Sequence, residues 1–507
     1  MTEEKLDRIA MWSAFAAVLF SAAYFFGGSG FNQNATFDMT RSLVEHRELH
    51  IDRYAGNTAD ISRANGHIYS NKVPGLSFVA AIPYAVIHLL RGAPQHALEA
   101  TFALYLCTVA ICGLSAALIA LLLFKAARHR AVTRERALAI AIVSVLGTPM
   151  FAYATMLFPH VPSCLLALLA FLSLDGTLRR RPLVAGAAVG AAVLMHYLCA
   201  LLVIVTFAFA LATSRRRVRD AVQYALGGLP FAILLGAYHV AVFGSPFRTT
   251  VVSQNPGFIT EGAWFGIFSL PKIDALWGLT FSPFRGLFYI APLLLVAALG
   301  LVAMARRERA AAATIAATTI FFLLVNSAFN VWHGSYTIGP RYSLPVIPLL
   351  ALGLIYVSER WTLLTTTIAA ISLLFNFAVT AVDAQPPDTL RDPIGKYAIP
   401  ALITGSASDD PSVPPWIPAL YTGHTSTNRV AIDELVAYQR RRPESVENAW
   451  SSFNLGEPMF GAGAFASLLP YFAGMALLLF TVRASLRRPH RATHTTRGTQ
   501  TERSRSA

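Results

Sequence analysis

The chain has 507 residues, 55% of them hydrophobic and 13% charged, with a formal net charge of +14. A disordered chain would need low hydrophobicity with high charge, and the four cysteines (Cys107, Cys112, Cys164, Cys199) sit in apolar runs without CxxC spacing, so a disordered protein, a small disulfide scaffold and a cysteine zinc site are all excluded. A mean hydropathy of +0.52 and long apolar runs make a membrane, and not nucleic acid, the partner that the positive charge reports on.

Apolar runs long enough to cross a hydrocarbon core, roughly 17–25 residues, occur at 11–28, 97–124, 136–155, 160–178, 221–243, 286–305, 309–329, 341–358, 361–382 and 462–483. The stretch 183–213 is interrupted by Met195-His196-Tyr197 and reads as two short helices turning there. The stretch 75–90 is short and contains Pro83 and His88. Basic clusters set orientation. They are Lys125/Arg128/Arg130/Arg134/Arg136, Arg179–Arg181, Arg215–Arg217 with Arg219, Arg306/Arg307/Arg309, and the tail from Arg483. They fall on one side if 183–213 is a hairpin. The N-terminus, with Lys5 and Arg8, shares that side only if 75–90 does not cross. It is therefore expected as a juxtamembrane helix on the outer surface. The first segment is too long for a cleavable signal peptide.

The fold class expected is an all-α polytopic integral membrane protein of the cell membrane, with about twelve transmembrane helices and both termini cytoplasmic. Residues 1–483 form one transmembrane domain, and 484–507 form a basic cytoplasmic tail of disordered composition. Long outer segments are 29–96, 244–285 and 383–461, and long ordered loops are usually functional. The third contains Pro386-Pro387, Pro414-Pro415, Trp416 and Trp450, and reads as a small cap without a catalytic constellation. Under this topology the excess positive charge lies on the cytoplasmic segments and the outer segments are nearly balanced. No internal repeat is visible.

The first outer loop carries Asp38, Glu45, Glu48, Asp52 and Asp60. Thr40–Leu49 reads as a short amphipathic helix, with Arg41, Glu45 and Glu48 on its polar side. Asp38 stands just before it in an N-cap-like position. Lys72 precedes Pro74-Gly75 and the juxtamembrane helix.

An acid shortly after the first span, an amphipathic stretch, and Tyr69-Ser70-Asn71-Lys72-Val73-Pro74-Gly75 before a surface helix resemble the GT-C glycosyltransferases. The likeness is to bacterial relatives of protein O-mannosyltransferases and of the lipid A aminoarabinose transferase. Tyr238-His239, Phe243-Gly244-Ser245-Pro246-Phe247, Ser282-Pro283-Phe284-Arg285-Gly286-Leu287, Gly339-Pro340-Arg341-Tyr342 with Pro345, and Phe453-Asn454-Leu455-Gly456-Glu457 are similar to recurring segments of the same relatives. The resemblance touches most of the chain. It implies a GT-C-like fold, a polyprenyl-phosphate sugar donor, inverting transfer on the outer face to a glycan, lipid or protein acceptor, and a first-loop Asp as base. Two departures stand out. Phe37-Asp38-Met39 offers one carboxylate where many members carry two, and Phe158-Pro159-His160 stands where many carry an acid. Neither favours a divalent metal, and no metal site or cofactor is assigned.

Sugar transfer to a hydroxyl needs a carboxylate within reach of the acceptor proton. Asp38 is the expected catalytic base, with Asp52 and Asp60 as alternatives. A solvated or capping Asp is the plainer reading of each. Arg341 is the expected phosphate ligand, because a cation on the outer side opposes the charge trend and a guanidinium fork suits phosphate. Its plainer reading is snorkelling to headgroups. Lys72, His160 and Tyr342 are further phosphate-binding candidates, against headgroup, interfacial and aromatic-belt roles. His333 lies in the same short loop as Arg341. The competing function is a transporter or flippase of a lipid-linked or anionic solute, which would place ionisable residues near mid-bilayer.

Overall fold

The computed structural model describes residues 2–404, 452–460 and 465–486. Most of the expected tail, and Pro414-Pro415, Trp416 and Trp450 of the third outer segment, lie outside the described residues.

The molecule is a bundle of apolar helices. Five are long and apolar enough to cross a membrane: α1 (Glu3–Tyr24), α4 (Ala97–His129), and the helices Arg217–Phe243, Arg309–Ser327 and Glu359–Val382. Every other expected span also contains helix, but shorter or broken. The break in 136–155 falls at Gly147-Thr148-Pro149, between Arg134–Leu146 and Met150–Ala154. The run Arg341–Tyr356 alternates 3-10 and α turns around Pro345 and Pro348. Proline removes a backbone donor and clashes with the preceding turn. Such breaks survive at membrane depth where protein surrounds them, and residues 343–355 are all buried.

The stretch 183–213 is two helices, Pro182–Met195 and Tyr197–Ala212. They form a hairpin. Arg180, just before the first, donates to Thr213 Oγ1 (3.0 Å) and to the Ala210 carbonyl (2.9 Å) at the end of the second. Helix Pro182–Met195 packs closely on Arg217–Phe243, because a Cβ at Gly186 would lie 1.9 Å from the Tyr224 carbonyl oxygen and one at Gly227 would lie 2.0 Å from that of Leu183.

Charged contacts gather four of the basic clusters, those before Arg483, at one end of the bundle. Asp7 pairs with Arg128 (2.8 Å) and Arg134 (2.7 Å). Arg130 reaches Asp175 and Glu308, each at 2.8 Å, and Tyr356 Oη at 2.7 Å. Arg180 pairs with Asp220 at 3.1 Å. The N-terminus and four separate loops thus share this end. His160, His196 and Tyr342 meet at the opposite end, with His160 and His196 ring centroids 5.1 Å apart.

Helix α3 (Gly75–Arg91) stays at that second end. Its first residue abuts the Leu194 carbonyl, and its last, Arg91, lies 5.6 Å from the Phe102 ring near the start of α4. It leaves Ile82, Val86, Leu89 and Leu90 exposed in one stripe, as a helix lying on a membrane surface would.

The first loop differs from its sequence reading. Helix α2 spans Phe31–Arg41 and continues as a π turn, Ser42–His46. Asp38 is therefore inside the helix and does not cap it. Burial overrides the modest helix propensity of Asn, Thr and Asp: residues 33–42 are all buried. Arg41 and Glu45, expected on a polar surface, form a buried ion pair at 2.8 Å. Tyr54 and Tyr84 both donate to Glu45. Burial opposes ionisation of Glu45, but the Arg41 guanidinium outweighs it and holds the carboxyl below its usual range.

Two small antiparallel pairs complete the second end. Strand β1 (Phe25–Phe26) pairs with β4 (Phe453–Asn454), and β2 (Ile61–Ala64) pairs with β3 (His67–Ser70).

Candidate active site

The β2–β3 hairpin turns at Asn65-Gly66, both with positive φ (51° and 81°). This is the turn pair whose twist matches two flanking strands. Its register sets Ile61 opposite Ser70. One residue further out, Asn71 N–H donates to the Asp60 carbonyl (3.1 Å). The hairpin thereby brings Asp60 and Lys72 together, and Lys72 Nζ lies 2.9 Å from Asp60 Oδ2.

This pair lines a cavity of about 670 Å³ at the second end of the bundle. That volume is within the range of small-ligand sites. Gly30–Gln33, the start of α2, form one wall. Arg341 and Tyr342 form another, with Phe329, Tyr336 and Gln385 between. Gln33 Nε2 donates to Gln385 Oε1 (2.9 Å), and Gln385 Nε2 donates to the Gly27 carbonyl (2.9 Å). These amides tie the first loop to the segment after helix Thr362–Val382.

Arg341 is set by its approach. Gly339 has φ 68°, and a Cβ there would also press on Pro149 at 3.0 Å. The Arg341 guanidinium lies 4.6 Å from the Tyr342 ring and donates to Tyr342 Oη at 2.6 Å. Its Nε is buried without a partner. Among the described residues no carboxylate pairs with Arg341, whereas Lys72 has Asp60. Tyr342 is held by Phe329, stacked 4.9 Å away.

The other predicted residues are elsewhere. His160 is buried behind Phe158 and Tyr342, with its ring stacked on Phe158 at 5.4 Å, and it does not line the cavity. Asp38 is fully buried two turns along α2 from the cavity wall. Asn57 Nδ2 donates to its Oδ1 (3.1 Å), and Asn34 Nδ2 donates to the Asn57 carbonyl (2.8 Å). Asp52 faces the hairpin from outside, accepting from Ile68 N–H (2.6 Å) and lying 2.6 Å from His67 Nδ1. His333 Nδ1 accepts from Ser335 N–H (3.1 Å). Burial holds His333 below the usual histidine range, with Asp388 opposing. Of the predicted set, the structure brings Arg341, Tyr342, Lys72 and Asp60 together.

No protein-family model matches the sequence. No curated protein matches it. Among solved structures the chain is similar to ArnT from Cupriavidus metallidurans in the apo state. The TM-score is 0.45 at 17% identity, over 93% of this chain and 75% of that one. It is similar to the same protein bound to undecaprenyl phosphate, with TM-score 0.45 at 16% identity, over 95% and 77%. It is also similar to the archaeal oligosaccharyltransferase AglB from Archaeoglobus fulgidus in complex with an inhibitory peptide and a dolichol-phosphate. There the TM-score is 0.41 at 13% identity, over 75% and 57%.

Sequence reasoning missed Arg285. It is fully buried and donates to the carbonyls of Phe284 (3.0 Å), His333 (3.1 Å) and Ser335 (3.0 Å). It clamps the turn that leads to Arg341. Burial pushes its pKa down to about 9. The signal was present: under the expected topology it is, like Arg341, an outer-side cation within two residues of a glycine. Gln33 and Gln385 were missed because neutral amides carry no motif.

Proposed function

We propose that this protein is an inverting, membrane-embedded glycosyltransferase that moves a sugar from a polyprenyl-phosphate donor to an acceptor hydroxyl at the outer face of the cell membrane. The twelve-span topology with cytoplasmic termini belongs to the same proposal. It is supported by the gathering of the basic clusters at the end opposite the cavity, since positive clusters mark the cytoplasmic side.

The observation that carries the reading is Arg341. A partly buried guanidinium without a carboxylate partner among the described residues is costly, and it stands on the wall of a cavity beside a second cation, Lys72. A phosphate relieves that cost by accepting two N–H bonds from the fork. Tyr342 keeps the fork oriented, and His160 supports Tyr342 from behind.

The reaction is built on the Lys72–Asp60 ion pair that lines the cavity. Donor phosphate draws the Lys72 ammonium away from Asp60. The freed Asp60 carboxylate takes the proton of the acceptor hydroxyl. The acceptor oxygen attacks the anomeric carbon from the face opposite the phosphate. The carbon–oxygen bond to phosphate breaks, and polyprenyl phosphate leaves with the electron pair, its charge held by Lys72 and Arg341. Asp60 thus takes the role that sequence spacing gave first to Asp38, because Asp60 lines the cavity. Asp38 anchors α2 and Asn57 beneath it.

The test is transfer from a synthetic polyprenyl-phosphate sugar by purified Asp60→Asn and Asp38→Asn proteins. Asp60→Asn is expected to lose on the order of 10²–10⁴-fold in rate while still binding donor. Asp38→Asn is expected to lose thermal stability first. Wild-type transfer by a folded Asp60→Asn protein returns the base role to Asp38. Transport of donor without any transfer by the wild type replaces the enzyme reading with a flippase.

A further inference from the structure

Outside the cavity, the first loop brings together three metal-ligating side chains that the mechanism does not use. His50, Asp52 and His67 each offer one ligand atom, and the three atoms lie within 4.8 Å of one another. His50 Nδ1 is 3.2 Å and His67 Nδ1 is 2.6 Å from the same oxygen, Asp52 Oδ2. The two imidazoles stack with centroids 4.3 Å apart and planes 14° apart. Both rings therefore present Nδ1 to the same carboxylate oxygen, and in-plane binding of one ion requires one of the stacked rings to turn. None of the three residues lines the cavity.

We propose that His50, Asp52 and His67 form a zinc-type divalent metal site that fastens the segment leaving α2 to the β2–β3 hairpin. Two imidazoles and a carboxylate are a borderline set that suits Zn²⁺, with water in the fourth, open position. Asp52 and His67 are exposed, so the ion has an entry path. Bonds of about 2.0–2.1 Å in a tetrahedron put ligand atoms roughly 3.4 Å apart. The His50–Asp52 separation already meets that, and the His67–Asp52 separation needs to open by less than about 1 Å.

The surroundings fit a ligand set. Asp52 Oδ1 accepts from Ile68 N–H (2.6 Å), which fixes the carboxylate and leaves Oδ2 to face the rings. Glu48 Oε2 stands 3.8 Å from His50 Nε2, on the far side of the ring from its Nδ1. Such outer partners orient metal-bound histidine. The backbone is already drawn together, since Ile51 N–H donates to the Ile68 carbonyl (2.7 Å). The hairpin carries Asp60 and Lys72 at its base, so the ion sets the rigidity of the cavity wall without touching substrate.

The experiment uses full-length protein without a polyhistidine tag, purified in detergent, stripped with chelator and dialysed against ZnCl₂. Metal content and thermal unfolding are read together. The wild type is expected to bind one zinc that a His50→Ala/His67→Ala double variant does not bind, and zinc is expected to raise its melting temperature but not the variant's. Asp52→Asn, which keeps the fold's hydrogen bond to Ile68 N–H, is expected to weaken zinc binding at least 10-fold. Equal zinc content in wild type and both variants, or no zinc retained by the wild type, overturns the site.

Discussion

Two arginines on the cavity side show how the same residue type takes different work from its surroundings. Arg285 has three carbonyl acceptors and Arg341 has a phenol and an unpartnered Nε. Arg285 therefore holds structure, and Arg341 is free to meet an anion. Replacing Arg341 with Ala is expected to weaken donor binding at least 10-fold with little change in melting temperature. Donor titration by intrinsic fluorescence, beside a thermal scan, measures both. Arg285→Lys has three N–H donors on a single nitrogen, which does not span carbonyls now reached from Nε, Nη1 and Nη2, and each buried acceptor left unsatisfied costs about 1–3 kcal/mol. A melting temperature lowered by several degrees is expected, together with weaker donor binding as the 333–335 turn loosens. Under the expected topology both arginines are legible as outer-side cations against the charge trend. Which of them was already saturated was not, because backbone carbonyls leave no trace in a side-chain pattern. The same limit separated Asp38 from Asp60. Distance from the first span favours Asp38, whereas the proposed choice of Asp60 rests on the Asn65-Gly66 turn, a hairpin signal between two short strands.

At the level of elements, each hydrophobic run contains helix among the described residues, but the runs overstated its continuity. Pro149, Pro345 and Pro348 each stand inside an apolar run, and each accompanies a break that neighbouring helices cover. Helix α2 was misplaced by nine residues at its start because its Asn and Thr residues look like a loop until their burial is known. The β1–β4 pair was not legible at all, since two residues on each side carry no periodicity. It makes a checkable claim about acidity. Glu457 follows β4 and accepts from Asn454 N–H (3.2 Å) and Nδ2 (3.0 Å). Burial raises its pKa to about 7, with the Asn454 N–H opposing. The folded protein then binds more protons than the unfolded chain between the ordinary carboxyl value, about 4.3, and about 7. Stability should fall as pH rises through that window, and Glu457→Gln should flatten the fall. Melting temperatures at pH 5, 6, 7 and 8 for both proteins measure it.

For the whole molecule, the sign of the charge carries the proposed orientation and its local balance the proposed site. Cysteines placed at Arg216 and Phe247 should report opposite sides, the native thiols at 107, 112, 164 and 199 being buried. In intact cells a membrane-impermeant maleimide is expected to label Phe247→Cys at once and Arg216→Cys only after permeabilisation. Labelling of both from outside would invert or abolish the proposed topology. The pairing of Phe25-Phe26 with Phe453-Asn454 also bears on biogenesis. Tyr24 Oη donates to the Ser467 carbonyl (2.5 Å), and Ser21 meets Tyr471 (3.1 Å), so α1 has its partner in a segment 443 and 450 residues further along the chain. At about 5–20 residues per second, that partner is made tens of seconds later. The aromatic edge of α1 must wait in lipid or under a chaperone for that interval, and the bundle closes over it only when the segment around Ser467 and Tyr471 arrives.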